Sequence, residues 1–424
     1  MTKQNNNILQ PCKGEPMCSP QDKSKRADTQ LCPDGYKNSP LGIIPEDWEV
    51  KRLDEVCEID SRSLSSKTAP DYSFNYISLS DVDSEVYEMT KTKQVFKTAP
   101  SRARRIVQKG DVIISTVRPN LQGFSIIRDK VEDLIVSTGF SVLTPKKCNS
   151  MYLYSYMFSE YTSKQFYQLI VGSNYPAVNS SDVANLKIVL PPLPEQQKIA
   201  EILGLWDSAI EKQTQLIEKL ELRKKGLMQQ LLLHNKAKSF NRIKAGDIFK
   251  SVSIKGNDNE PLLSATQEYG VIPRDMLDGR VTMPTGDTKS FKLVEKGDFV
   301  ISLRSFQGGI EYSNYRGLVS PAYTVLKPKI EINNEYYRQY FKSADFIGRL
   351  AVAVIGIRDG KQISYEDFCI VKIPNTSIIE QNRITSILST ADREIETEKA
   401  KLEQLRRQKK GLMQVLLTGK KRVK

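Results

Sequence analysis

Residues 195–232 read EQQKIAEILGLWDSAIEKQTQLIEKLELRKKGLMQQLL, and residues 380–417 read EQNRITSILSTADREIETEKAKLEQLRRQKKGLMQVLL. The two stretches align without a gap and about half their positions are identical, a level that helical composition alone rarely produces. In the first, Ile199, Leu203, Trp206, Ile210, Ile217, Leu220, Leu227 and Leu231 follow alternating steps of three and four. In the second, Ile384, Leu388, Ala391, Ile395, Leu402, Leu405, Leu412 and Leu416 take the same places. That spacing holds an apolar stripe on one side of a helix and marks a coiled-coil seam. Polar residues interrupt it at matching points, Gln213 and Lys224 against Glu398 and Lys409, and these are expected to fix register. Each helix would span ~60 Å at ~1.5 Å per residue. Pro194 suits a first helical turn, where a missing N–H costs nothing. Gly226 and Gly411 sit in matching KKGLMQ motifs. Glycine inside a helix costs ~1 kcal/mol, so its recurrence suggests close backbone packing or a local break.

The duplication extends outward from the helices. Gly110-Asp111-Val112-Ile113-Ile114-Ser115 returns as Gly297-Asp298-Phe299-Val300-Ile301-Ser302. Ile135-Val136-Ser137 through Val142-Leu143-Thr144-Pro145 returns as Leu318-Val319-Ser320 through Val325-Leu326-Lys327-Pro328. These short runs have the β-branched and aromatic bias of buried strands. A short helix bearing Tyr152 and Tyr156 is echoed by one bearing Tyr337 and Phe341, and one-turn spacing favours a buried stripe. The fold expected is α+β: two tandem strand-rich domains, each followed by a long helix, with the two helices pairing as an antiparallel coiled coil. The expected divisions are a disordered leader over 1–41, a first domain over 42–193 and a central helix over 194–235. A second domain follows over 236–378, then a C-terminal helix over 379–418 and a basic tail over 419–424. Pairing within the chain is favoured because covalent linkage keeps the copies at high effective concentration. Antiparallel pairing would relate the domains by a pseudo-two-fold axis, a symmetry that duplex DNA shares.

The chain of 424 residues carries a formal charge of +13 with a pI near 9.2, which favours an anionic partner and nucleic acid first. No run approaches the ~18 apolar residues of a membrane span, and the first residues lack the apolar core of a signal peptide. A cytoplasmic protein is expected. Cys12, Cys18 and Cys32 lie in the polar leader, no CxxC pair occurs, and His234 is the one histidine. A zinc site of ordinary spacing therefore has little support, and no metal is expected.

The chain resembles the specificity subunit of type I restriction-modification systems. The resemblance rests on Gly42-Ile43-Ile44-Pro45-Glu46-Asp47-Trp48, on Leu190-Pro191-Pro192-Leu193-Pro194-Glu195-Gln196, and on the helix ending Lys224-Lys225-Gly226-Leu227-Met228 with its copy at Lys409 to Met413. The tandem order is its most specific part. Ile373-Pro374-Asn375-Thr376-Ser377 departs from the proline pattern of the first copy. The resemblance implies that the two strand-rich domains are target-recognition domains, each reading half of a split double-stranded DNA sequence. It implies paired helices that set the spacer and dock modification (methyltransferase) subunits, with restriction (motor and nuclease) subunits joining them. It further implies that this chain is not catalytic and binds no cofactor itself. S-adenosylmethionine, ATP and Mg would belong to the partner subunits.

The residues agree with that role. No NPPY-like or DPPF-like methyltransferase motif, no GxxxxGK[ST] phosphate loop and no Ser-His-Asp set is present, and no catalytic residue is expected. A nominal nuclease pattern, Pro33-Asp34 with Glu49-Val50-Lys51, lacks the intervening strands that would hold its carboxylates on Mg²⁺. Phosphate contacts are expected from Lys and Arg and base readout from Arg, Lys and side-chain amides. The candidates in the first domain are Lys91, Lys93, Arg102, Arg104, Arg105, Arg118, Asn120, Gln122, Asn174 and Tyr175. Those in the second are Arg274, Arg280, Lys289, Arg304, Gln307, Arg358, Lys361 and Gln362. Arg118 and Arg304 follow equivalent strands, and a residue repeated in both domains suits a structural or phosphate role better than base readout. The alternative reading is a coiled-coil scaffold that assembles proteins without sequence-specific DNA binding. A nuclease or fused modification enzyme ranks below it.

Overall fold

The computed structural model describes residues 32–83, 88–170, 176–233, 241–257, 259–277, 288–303, 309–354 and 363–423. The first domain is built around the strand Val112–Ser115, all four residues of which are buried. A strand covered on both faces reads as a continuous apolar run, as Val112-Ile113-Ile114 does. Val112 and Ile114 pack with the aromatic helix Ser150–Met157, while Ile113 packs with Val136 and Phe140 against a second sheet. Val112–Ser115 pairs antiparallel with Phe124–Ile126 and Phe140–Pro145, and the latter pairs with Cys57–Ile59. The second sheet runs in the order Thr92–Val95, Ser73–Ile77, Leu134–Ser137, Ala103–Ile106.

The second domain repeats the first sheet. Phe299–Ile301 lies between Glu311–Tyr312 and Thr324–Pro328, which pairs with Phe249–Val252. A buried aspartate anchors the turn before each central strand. Asp111 accepts the Gln108 N–H at 2.8 Å, and Asp298 accepts that of Glu295 at 2.8 Å. The glycines ahead of them, Gly110 and Gly297, have φ of 90° and 98°, where an L side chain would be strained. Each domain also has an entry strand paired with its last strand, Glu49–Arg52 with Lys187–Leu190 and Asn241–Lys244 with Lys372–Asn375. The aromatic helices Ser150–Met157 and Asn334–Phe341 bury Tyr152, Tyr156, Tyr337 and Phe341. Tyr152 and Tyr337 donate their hydroxyls to the carbonyls of Val189 and Pro374 in those last strands.

The long helices span Leu193–Leu233 and Ile378–Leu416 and pack antiparallel. In the middle of the stripe Ile210, Ile217, Leu402 and Leu405 form a cluster from the two helices alone. The ends serve the domains. Ile199, Leu203, Leu412 and Leu416 join the first domain's core, and Leu227, Leu231, Ile384 and Leu388 join the second's. Each domain therefore sits on the start of one helix and the end of the other.

Two expectations need correction. Ordered structure does not wait for residue 42, because Tyr36–Ser39 forms a hairpin with Gly42–Pro45. Its polar residues show no apolar period because the hairpin is held partly by a distant contact, from the Tyr36 hydroxyl to the Gly419 carbonyl at 3.0 Å. Gly226 and Gly411 mark neither a break nor a close approach. Both lie inside unbroken helix, and a Cβ at either would meet nothing within 4 Å.

Candidate nucleic-acid interface

The helix pair fixes where two reading surfaces could stand. At its centre the Gln213 amide donates to the Glu398 carboxylate at 2.6 Å. These two residues occupy the same position in the two copies, so a pseudo-two-fold axis passes between them. Lys224 pairs with Asp392 at 2.5 Å on one side, and Lys409 pairs with Asp207 on the other. Asp207 and Asp392 are equivalent residues of the repeat, as are Lys224 and Lys409. The reciprocity places the domains at opposite ends of a rod ~60 Å long, from ~1.5 Å per helical residue.

Beyond Ser115 in the first domain the chain makes a single 3-10 turn, Pro119–Leu121, with left-handed residues on both sides. Arg118 has φ of 50° and Gln122 of 53°, a conformation that side-chain-bearing residues adopt only when their surroundings impose it. The Arg118 N–H donates to the Pro176 carbonyl at 2.8 Å, and the Gln122 amide donates to Ser163 Oγ at 3.2 Å. The turn faces the helix Glu160–Ile170 across a groove of about 450 Å³ lined by Asn120, Gln122, Lys164 and Tyr167. Leu121 and Tyr167 are 65% and 69% exposed. A cation, two amides and an exposed aromatic ring thus line one groove, which suits phosphate contact, hydrogen bonding to base edges and apolar packing.

The other basic candidates of this domain are not gathered. Lys91 and Lys93 lie at and beside the edge strand Thr92–Val95, whereas Arg102, Arg104 and Arg105 lie at the opposite edge, Ala103–Ile106. Four strands at ~4.8 Å spacing separate the two edges by ~14 Å. Arg104 sits 4.8 Å from the Phe96 ring centroid and donates to the Ala103 carbonyl at 2.8 Å. Arg105 pairs with Asp60 at 3.0 Å, which commits it to the fold's own electrostatics. Arg102 is exposed. In the second domain, half-buried Arg274 opens the turn Arg274–Met276 and Lys289 is exposed before the strand Lys292–Val294. Asn174, Tyr175, Arg280, Arg304, Gln307, Arg358, Lys361 and Gln362 lie outside the described residues.

Asp34 precedes the first hairpin and Glu49 pairs with Lys51 at 3.1 Å. Among the described residues no group of three His, Cys, Asp or Glu side chains is placed to hold a metal ion. Sequence reasoning passed over Lys164 and Tyr167, although Tyr167 falls on the polar side of the amphipathic helix Glu160–Ile170. It also passed over Gln196 and Gln381, both buried. Gln196 accepts the Asn149 N–H at 2.9 Å and Gln381 accepts that of Asn333 at 2.8 Å. These bonds tie the start of each long helix to its own domain.

The chain matches the family model described as type I restriction modification DNA specificity domain twice, over residues 45–222 and 237–407. It is 27% identical over 431 residues to a Methanocaldococcus jannaschii protein provisionally named the type I restriction enzyme MjaX specificity subunit, covering 92% of this chain and 97% of that one. Among solved structures it is similar to a chain from work described as the structural basis of complex assembly and conformational transition of the type I R-M system. That match has a TM-score of 0.59 at 21% identity over 89% of this chain and 99% of the other. The type I restriction-modification system S subunit of M. genitalium matches with a TM-score of 0.52 at 16% identity, over 87% and 96% of the two chains. At these identities the structural matches speak for the fold alone.

Proposed function

Since the chain belongs to the type I restriction modification DNA specificity family, we propose that it gives such a complex its target by reading one two-part DNA sequence. Each domain reads one half, and the antiparallel helices hold the halves at a set separation and orientation. The observation that carries this reading is the pair of reciprocal lysine–aspartate contacts about Gln213 and Glu398. They relate two equivalent domains by the kind of axis that relates two half-sites on a duplex. The charge of +13 supplies the non-specific attraction to phosphate. In the first domain the turn Arg118–Gln122 and the groove beside Tyr167 are the surface we assign to base readout, with Arg118 on phosphate.

In this reading the chain performs no chemistry. It docks modification subunits that methylate with S-adenosylmethionine, and restriction subunits that use ATP and Mg join them. The sequence supports this division because it holds neither an amino-methyltransferase motif nor a phosphate-binding loop. Among the described residues no helix is long and apolar enough to cross a membrane, and a cytoplasmic location belongs to the same reading. Selection from a random duplex library by the chain co-expressed with its modification subunit, at a stated salt concentration, tests it. A two-part consensus with a fixed spacer is expected. An intact complex that enriches no sequence would transfer the assignment to a protein-assembling scaffold.

A further inference from the structure

The C-terminal helix runs into the first domain. Leu416 and Leu417 are buried there with Ile44 and Trp48. The chain turns at Gly419, whose φ is 72° and where a Cβ would stand 2.4 Å from the Pro45 ring. The Lys421 N–H then returns to the Val415 carbonyl at 3.0 Å. Arg422 enters between two carboxylates. It donates to both oxygens of Asp47 at 2.8 Å each and to both oxygens of Glu195 at 2.7 and 2.8 Å. Its guanidinium carbon lies 5.6 Å from the Trp48 ring, and the Trp48 indole N–H donates to Glu195 at 3.0 Å. Burial alone would raise the Glu195 pKa, but the bonds from Arg422 and Trp48 outweigh it and hold the carboxyl below its ordinary range. One side chain therefore joins the entrance of the first domain, the start of the central helix and the end of the C-terminal helix.

The two halves differ in how this junction is made. At the second domain the central helix continues along the chain into the entry strand Asn241–Lys244. At the first domain the residues that lead into the equivalent strand, Pro45, Asp47 and Trp48, meet the end of the C-terminal helix with no peptide bond between them. We propose that residues 417–423 form a latch, with Arg422 as its positioning residue. The latch supplies at the first domain the attachment that the polypeptide supplies at the second. It thereby holds the distance between domains on which discrimination between spacers depends. The role in spacer choice rests on the two-part reading above.

The test uses the full chain with its modification subunit and compares wild type with Arg422→Ala, Arg422→Lys and Asp47→Asn. Binding is measured on duplexes carrying the selected half-sites at the selected spacer and at one base pair fewer or more. Wild type should prefer its own spacer by ~10-fold or more, the scale of one mismatched base pair. Arg422→Ala should reduce that preference to about 2-fold with the bases chosen in each half-site unchanged, and Arg422→Lys and Asp47→Asn should fall between. A merely structural role would weaken all three duplexes alike and would overturn the proposal, as would full spacer preference in Arg422→Ala. Energy transfer between dyes placed at Lys67 and Glu268, one on each domain, gives a readout independent of DNA. Wild type should show one narrow distance and Arg422→Ala a broad one, and an unchanged narrow distance sinks the latch. If wild type selects no consensus, the DNA reading has failed and the distance measurement alone decides whether the latch holds the domain.

Discussion

Gln196 and Gln381 carry a constraint that the repeated Glu-Gln pair only hints at. Each side chain is buried and bonded at both ends. Besides accepting from the cap residues of the aromatic helices, Gln196 donates to the Pro191 carbonyl at 2.8 Å and Gln381 to the Thr376 carbonyl at 2.9 Å. Truncation would leave a half-buried N–H and a carbonyl without their side-chain partner, a loss of about 1 kcal/mol or more. Gln196→Ala and Gln381→Ala should therefore each lower the urea midpoint, whereas Gln197→Ala, at an exposed neighbour, should leave it unchanged. Equal effects at 196 and 197 would show that these bonds do not anchor the helix. The sequence displayed the repeated glutamine but not its role, because Asn149 lies 47 residues away. Arg105 teaches the same lesson in reverse. It stood with Arg102 and Arg104 among the candidates for DNA contact, yet the carboxylate it meets, Asp60, comes from a strand end 45 residues earlier. Local charge density cannot reveal a partner brought by the fold.

The period of three and four was sufficient to reveal the helices and their stripe, since burial repeats with the turn of the helix. What it could not reveal was the change of surroundings along the stripe, where the outer residues of both helices are taken into a domain core. Nor could it single out Asp207 and Asp392, which become partners of Lys409 and Lys224 only once the register is antiparallel. These equivalent pairs have unequal surroundings. The Lys409 and Asp207 side chains are 9% and 2% exposed, against 24% and 26% for Lys224 and Asp392. Removing one partner of a buried pair strands a charge and costs about 3–5 kcal/mol, while the more accessible pair approaches the 0–1 kcal/mol of surface ion pairs. Lys409→Ala should accordingly be far more destabilising than Lys224→Ala in chemical denaturation of the full chain. Asp207→Asn combined with Lys409→Met should recover much of the loss, because no buried charge remains. Equal losses at the two lysines would mean that burial does not distinguish the two ends of the rod.

Across the whole molecule, the tandem order was legible because duplication leaves the same motifs at the same offsets. The face that meets DNA was less so, because two domains reading different half-sites have no reason to repeat their base-contacting residues. Separation of the half-sites is where the architecture makes its sharpest demand. Removing seven residues from the centre of both helices keeps the seam in phase, since seven residues span two turns of a 3.5-residue repeat. It shortens the rod by ~10 Å, or about three base pairs at ~3.4 Å each. The preferred spacer should therefore fall by about three base pairs, with the bases chosen in each half-site unchanged. Affinity should also fall, for a separate reason. Three base pairs carry ~100° of duplex twist at 10–10.5 base pairs per turn, whereas a heptad deletion rotates one helix end by only ~20°. The shortened protein would have to twist either itself or the duplex to engage both halves. Selection with this variant under wild-type conditions reads both effects at once. A spacer optimum that stayed where it was would mean that the helices do not set the separation, and the reciprocal lysine–aspartate pairs would then serve stability alone.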